Sequence, residues 1–346
     1  MSRTILEMKM RLNSVADTHL VPVLKQEGAI PRTIHQTFRR DGWPDEIHDN
    51  IAHLKALNPG WQYTVYDDAD VERFIGREYS PQVLTYYYRI DEHYGAARAD
   101  LFRYLLLYKC GGVYLDIKSS ANIPFDEVIH EHDSYIIAQW PNRVGELFCG
   151  WGIHPDLNGI DGGEFQQWHI ISVPGHPFLR AVIACVLANI DMYHPIVHGT
   201  GTGAVLHLSG PIAYTLAIHR LVHSHPHRMV RSHTELGLEY SIFGVGAETK
   251  HRYMLGRHHL FERRPVIKNA SKNSSVGEAR WFPGRHFGGR DGYEEPHSQD
   301  SRNRQNQPRG IGQPYRGDFE PNDYHRDWKR IASSESGTMK TCGGRP

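Results

Sequence analysis

Cysteine is scarce in this chain of 346 residues: Cys110, Cys149, Cys185 and Cys342 are its four. They are widely spaced and form no Cys-x-x-Cys pair, which excludes zinc-ribbon and dithiol redox chemistry and predicts reduced thiols in a cytoplasmic compartment. Excess charge of either sign is lacking too. Lys+Arg and Asp+Glu both number 39, a formal net charge of zero, so there is no basic field to hold a nucleic acid. Long apolar runs are missing. The stretch Leu20 to Leu24 is broken by Pro22 and follows mixed charge from Arg3 to Arg11, which predicts neither a signal peptide nor an integral membrane segment. No Gly-x-Ser-x-Gly elbow supplies a hydrolase nucleophile. Gly199-Thr-Gly-Thr-Gly203 lacks the lysine of a P-loop. His219, His223, His225 and His227 cluster without the glutamate of a zinc protease and are interrupted by Pro226, so they read as a surface group.

What is present is a globular composition, 39% hydrophobic and 23% charged, enough for one large domain. Residues 1–28 read as a leading arm or helix, 29–282 as the domain, and 283–346 as a polar, disordered tail too poor in aliphatic residues to offset its ordering entropy. Within the tail, only Asp318 to Ile331 has the aromatic content to dock as a short helix. Strands are predicted at Ala29–Ile34, Trp61–Tyr66 and Val113–Leu115, and helices at Ala69–Ile75 and Ala96–Tyr108. Further apolar segments at Ser134–Gln139, Trp168–Val173, Phe178–Ile190 and Pro211–Val222 complete an α/β pattern: one mixed sheet flanked by helices.

The chemistry concentrates in Ala96-Ala-Arg-Ala-Asp100-Leu-Phe-Arg103, continuing through Gly111-Gly-Val-Tyr114-Leu-Asp116-Ile-Lys118. On a helix Asp100 and Arg103 share a face. The glycines stop the helix, and the strand that follows carries Asp116 to its C-terminal end, where open α/β sheets bind ligands. Carboxylates there can accept sugar hydroxyls, and Arg103 can pair with Asp100, bind a hydroxyl, or both.

This run resembles glycosyltransferase family 32, whose pattern is an alanine-rich helix with Asp-x-x-Arg, then Gly-Gly, an aromatic and Asp-x-Asp. It is also similar to the clostridial toxin glucosyltransferase domain. The resemblance implies a GT-A nucleotide-diphospho-sugar transferase fold with a mixed, mainly parallel sheet. It further implies transfer of a sugar from a nucleotide-sugar to a hydroxyl of a glycan, polysaccharide or glycolipid, with retention of configuration. In that pattern Asp100 and Arg103 would hold the donor sugar, Tyr114 would lie beside the nucleotide, and Asp116 would meet the ribose, or a metal through water. Ile30-Pro-Arg-Thr-Ile-His35-Gln36-Thr-Phe38 is similar to the family's opening strand, which places His35, Gln36 and Phe38 at the nucleotide, Phe38 standing where a tryptophan is usual. More loosely, His258 and His259 resemble a closing segment that reaches the phosphates, and Ser209-Gly-Pro211 a helix start near phosphate or acceptor.

One departure matters. Lys118 occupies the position of the usual Mn²⁺ or Mg²⁺ ligand, and an ammonium cannot ligate a metal. Three readings stay open: a metal held elsewhere as well as by Asp116, Lys118 itself serving as the cation against the diphosphate, or loss of donor binding. Alternatives to a glycan-directed transferase are a nucleotide-sugar-binding protein without turnover and a protein-modifying glycosyltransferase. The oligomeric state is not legible in the sequence.

Overall fold

In a computed structural model, residues 20–26, 28–39, 42–244 and 263–268 are described, all within one compact unit. The elements in chain order are β1 (Thr33–Thr37), α1 (Asp45–Leu57), β2 (Gln62–Tyr66), α2 (Asp68–Glu78), α3 (Pro81–Arg89), α4 (Gly95–Cys110), β3 (Gly112–Leu115), β4 (Ser120–Ala121), α5 (Phe125–Val128) and β5 (Tyr135–Ala138). After a 3-10 turn at Pro155–Leu157 come β6 (His169–Ser172), α6 (Pro177–Met192), α7 (Pro195–His198), α8 (Gly201–Leu208), α9 (Pro211–His219), β7 (Arg228–Val230) and, past a second 3-10 turn, β8 (Leu238–Glu239).

Local chemistry sets the starts of these helices. Asp67 and Asp70 form a reciprocal capping box that opens α2. Proline stands in the first helical turn of α3, α6, α7 and α9, where its missing N–H costs nothing and its fixed φ suits the helix.

The sheet has six strands in the order β2-β1-β3-β6-β5-β7. β1 is parallel to β2 and β3, and β5 is parallel to β7. β6 runs antiparallel to both of its neighbours, so the other five strands all point the same way. This is the mixed, mainly parallel sheet flanked by helices that the sequence predicts. A small ladder of β4 and β8 lies apart from it.

Helices cover both faces. On one, Leu101, Phe102 and Leu105 of α4 meet Phe178, Val182 and Val186 of α6, with Tyr114 and Ile170 from the strands. On the other, Leu54 of α1 and Phe125 of α5 join Ile34, Val113, Leu115, Ile136 and Ile171. Because α4 is wedged among neighbours, its residues from Asp100 to Tyr108 are all buried, and it is apolar nearly all round.

α1 and α3 were not expected from sequence. α1 carries His48, Asn50 and His53 among its apolar positions, and Ile47 and Leu54 anchor it at 0% exposure. Of the N-terminal arm, residues 20–26 run over the main core: Val21 is 2% exposed and the Leu24 amide donates to the Tyr108 hydroxyl. The remainder of the arm, the tail with Asp318 to Ile331, and the segment with His258 and His259 lie outside the described residues.

Candidate active site

The site begins at the turn from α4 to β3. Gly111 has φ +63, and a Cβ there would lie 2.6 Å from Pro174 Cδ and 2.8 Å from its nitrogen. Gly112 has φ +97, with the Thr33 carbonyl oxygen 2.7 Å from the same imaginary atom. Only glycine tolerates both the left-handed backbone and the close approach. The tight reversal lays β3 beside the helix it follows, and Asp116 emerges at the strand's C-terminal end.

Arg103 is the hub. Its Nη2 lies 3.2 Å from Asp100 Oδ1 and 3.0 Å from Asp116 Oδ1. Nη1 donates to the Gln167 carbonyl at 2.6 Å, and the guanidinium sits 4.6 Å over the Tyr114 ring. Its side chain is 5% exposed, as is that of Asp100, whereas Asp116 is 27% exposed. Asp116 is therefore the most solvent-exposed member of this trio. Burial works against the charged guanidinium, but Asp116, Tyr114 and Asp100 outweigh it and hold Arg103 above its ordinary value. Asp100 is pushed up to about 6 by burial, against the opposing pull of Arg103 and Ser209.

Asp100 is held from both oxygens. Gln167 Nε2 donates to Oδ1 at 3.2 Å and Ser209 Oγ donates to Oδ2 at 2.9 Å. Oδ1 thus carries Arg103 and Gln167, while Oδ2 keeps room for one more hydrogen, such as that of a ligand hydroxyl. The Tyr104 hydroxyl lies 3.0 Å from Gln167 Oε1 and 2.8 Å from the Ser209 carbonyl, locking both supports together. Gln167 escaped the sequence reading because a Gln-Gln doublet before an apolar strand signals nothing in particular. Ser209 was singled out there only as part of a helix start.

β1 contributes from behind. The His35 ring is 3.1 Å from the Tyr66 hydroxyl and 3.2 Å from the Gly111 carbonyl. Burial lowers its pKa to about 4, partly offset by that carbonyl, so it is neutral. Gln36 donates its amide to the Asp116 carbonyl at 3.0 Å and accepts from the Tyr63 hydroxyl. Both residues are buried, at 3% and 0% exposure, and brace the strand ends. Tyr114 is hydrogen-bonded to Thr37 at 2.9 Å. Phe38, at the end of β1 and part-exposed, meets Trp43 edge-on at 5.9 Å with Arg39 5.1 Å over its ring. Phe38 and Trp43 together offer aromatic surface at the strand edge.

Lys118 lies on the turn closed by the Ser119 amide donating to the Asp116 carbonyl at 2.8 Å. Its ammonium is 3.7 Å from the centroid of the Tyr240 ring, and Tyr240 packs against Trp140, Phe148, Trp151 and Trp168. A cation thus stands two residues from Asp116, in low-dielectric surroundings where its charge counts for more.

A divalent cation wants several oxygen ligands. Among the described residues, the one group of three or more ligand-type side chains is Asp91, Glu92 and His93, while Asp116 and Asp100 share the Arg103 guanidinium between them. There Glu92 pairs with Lys268 and His93 lies against Arg264, partners suited to charge neutralisation by protein rather than by metal. Around Asp116 the charge that faces the carboxylates is that of Arg103, and Asp116 is in no such three-residue group among the described residues.

Comparison with known proteins gives this geometry its context. Residues 44–135 match the model of the glycosyltransferase sugar-binding region containing DXD motif. The matched stretch spans the Asp100, Arg103 and Asp116 constellation. Among curated proteins it is similar to inositol phosphoceramide mannosyltransferase 3 of Schizosaccharomyces pombe, 36% identical over 181 residues, covering 51% of this chain and 44% of the other. It is also similar to the initiation-specific alpha-1,6-mannosyltransferase of Candida albicans, 35% identical over 167 residues, covering 44% of this chain and 42% of the other. The chain thus spans less than half the length of these relatives. Among solved structures, the PaToxG glycosyltransferase aligns over 63% of this chain and 77% of its own, with 16% identity and a TM-score of 0.42.

Proposed function

We propose that this protein is a GT-A glycosyltransferase that moves a sugar, with retention, from a nucleotide-diphosphate sugar to a hydroxyl of a glycan, polysaccharide or glycolipid. The observation that carries the reading is the buried Asp100–Arg103–Asp116 constellation at the C-terminal edge of a parallel strand pair, within the matched sugar-binding region. Asp100 accepts a donor-sugar hydroxyl through Oδ2, and Arg103 is shared so that neither carboxylate is left as an uncompensated charge. Asp116, more exposed, meets the ribose or sugar, and Phe38 with Trp43 stacks on the base. His258 and His259 are proposed to reach the diphosphate from the segment outside the described residues.

In a retaining transfer of this kind, the acceptor oxygen attacks the anomeric carbon on the face the diphosphate leaves, and the departing phosphate oxygen takes the acceptor's proton. The protein's work is positioning and neutralising charge on the leaving group. Lys118 supplies that neutralisation, in place of a cation on a second carboxylate. The thiols of Cys110 and Cys185 suit a reducing compartment such as the cytoplasm, and no helix among the described residues is long and apolar enough to cross a membrane. Since the named relatives are mannosyltransferases, a mannose donor is the first to try.

Donor hydrolysis and transfer are to be measured across GDP- and UDP-sugars, with Mn²⁺ and with excess chelator, on wild type, Asp116→Asn and Lys118→Ala. Turnover is expected to persist in chelator and to fall by a factor on the order of 100 or more in either variant, as for loss of one charge-stabilising group at a transition state. Turnover abolished by chelator, yet intact in Lys118→Ala, would return the site to ordinary metal dependence. Because Lys118 interrupts the usual motif, a second reading is a nucleotide-sugar-binding protein, and tight donor binding without hydrolysis or transfer would select it.

A further inference from the structure

The turn after β3 is gripped from both sides. On one side stands α1: Asn50 Nδ2 donates to the Ser119 carbonyl at 2.9 Å, and the His53 ring lies 2.8 Å from the Ala121 carbonyl. On the other runs the segment around β8. Ser120 and Ala121 pair with Glu239 and Leu238 in the small ladder. Ser119 Oγ donates to the Tyr240 carbonyl at 2.8 Å, and the Ile242 amide donates to the Lys118 carbonyl at 2.9 Å. The backbone that carries Lys118 is therefore fixed in place, and the Ser119 amide ties Asp116 to the same turn.

Backbone bonds do not fix the far end of a lysine. Its flexible four-carbon stem gives the ammonium a wide reach and much rotamer freedom. Yet Lys118 is 8% exposed, and its Nζ stands 3.7 Å from the centroid of the Tyr240 ring, close against a π face. That ring is itself wedged edge-on among others. Trp140 meets it at 5.0 Å and 85°, Phe148 at 6.3 Å and 83°, and Trp151 at 6.1 Å and 81°.

Three stretches of chain thus converge on one ammonium. Lys118 follows β3, Tyr240 follows β8, and the three supporting rings belong to the loop between β5 and β6. A ring face attracts a cation through its quadrupole and leaves the net charge in place.

Resting on the reading that Lys118 supplies charge to the leaving diphosphate, we propose that Tyr240 is the positioning residue for that cation. Its ring face sets where the ammonium stands, two residues from Asp116, before a donor arrives. A charge placed in advance needs no reorganisation of the lysine stem as negative charge develops on the leaving group.

The test compares Tyr240→Phe, which keeps the ring face, with Tyr240→Leu and Tyr240→Met, which fill the space without it. Each is made alone and together with Lys118→Ala in the full chain. Binding of GDP and of UDP is measured by calorimetry. Labelling of Lys118 by an amine-reactive ester is followed by mass spectrometry, with the exposed Lys25 as the internal reference. Tyr240→Leu and Tyr240→Met should speed Lys118 labelling and weaken diphosphate binding, each on the order of tenfold, as loss of a desolvated cation–π contact implies. Lys25 labelling should not change, and Tyr240→Phe should stay within about twofold of wild type because its ring face remains. In the Lys118→Ala background the same substitutions should weaken binding no further, since a residue that acts through Lys118 then has nothing to position.

Labelling that does not rise when the ring is removed overturns the proposal. So does a binding loss of equal size with and without Lys118, which would make Tyr240 a packing residue, and so does Tyr240→Phe behaving like Tyr240→Leu. Faster labelling in Tyr240→Leu and Tyr240→Met, combined with a Lys118→Ala protein that binds GDP and UDP as wild type does, would uphold the contact and sink the reading of Lys118 as the cation of the diphosphate.

Discussion

Asp100 does two jobs that pull in opposite directions. In the proposed donor site its carboxylate accepts a hydroxyl, yet it sits at 3% exposure and shares its guanidinium partner with Asp116. Burial raises its pKa from 3.8 to about 6. The folded protein therefore holds this proton more tightly than the unfolded chain. The stabilisation is complete below about pH 4 and is lost as pH rises through 6, a loss of roughly 3 kcal/mol for a shift of about two units. Urea midpoints between pH 4 and 7 should show this decline in wild type and lack it in Asp100→Asn. An identical pH dependence in the two proteins would mean that Asp100 is ionised throughout. Donor affinity should move the other way, strengthening through pH 6, because a sugar hydroxyl donates to the ionised form. At Gln36 and His35 the same scale gives the opposite lesson, since every polar atom of these side chains that has a hydrogen-bond partner finds it in the fold itself.

At the scale of elements, everything hangs on the reversal between α4 and β3. The helix brings Arg103, the strand brings Asp116, and two left-handed glycines make the turn short enough for the side chains to meet at 3.0 Å. Gly112→Ala should cost about 1–3 kcal/mol for the backbone conformation alone, with more from the Thr33 carbonyl that its Cβ would strike. The expected outcome is a lowered thermal midpoint together with loss of donor binding, whereas Gly60→Ala, with open space around it, should change binding little. A Gly112→Ala protein of wild-type stability and affinity would show that the turn has slack. β6 is the second indispensable element. By running against its neighbours it starts at the site edge and so presents Gln167 to Asp100, while Trp168 faces the aromatic cluster beneath Lys118 and Tyr240.

For the whole molecule, one sheet edge gathers the candidate site: the Asp100–Arg103–Asp116 constellation and the Lys118 turn lie where β1 and β3 end. Composition sets residues 283–346 apart from this domain. A chain ending at residue 282 is therefore expected to retain donor binding within about twofold of the full chain, read by calorimetric titration with the same nucleotide-sugar. A loss of tenfold or more (about 1.4 kcal/mol) would place part of the donor site beyond the proposed boundary.

The sequence by itself determined the parts of the site that are close along the chain. Asp100 and Arg103 share a face because they are three apart on a helix, and the paired glycines followed by an apolar strand announce the return to Asp116. Those relations depend on backbone geometry over about twenty residues, which spacing encodes directly. Only the tertiary structure decided the rest. Gln167 and Ser209 reach Asp100 across 67 and 109 residues, and strand alternation could not tell whether His35 or Gln36 faces a ligand, because both faces of the sheet are covered by core. The place of Lys118 over Tyr240, and of Gln167 just ahead of the antiparallel β6, follow from strand direction and packing. Spacing along the chain carries neither; packing in three dimensions does.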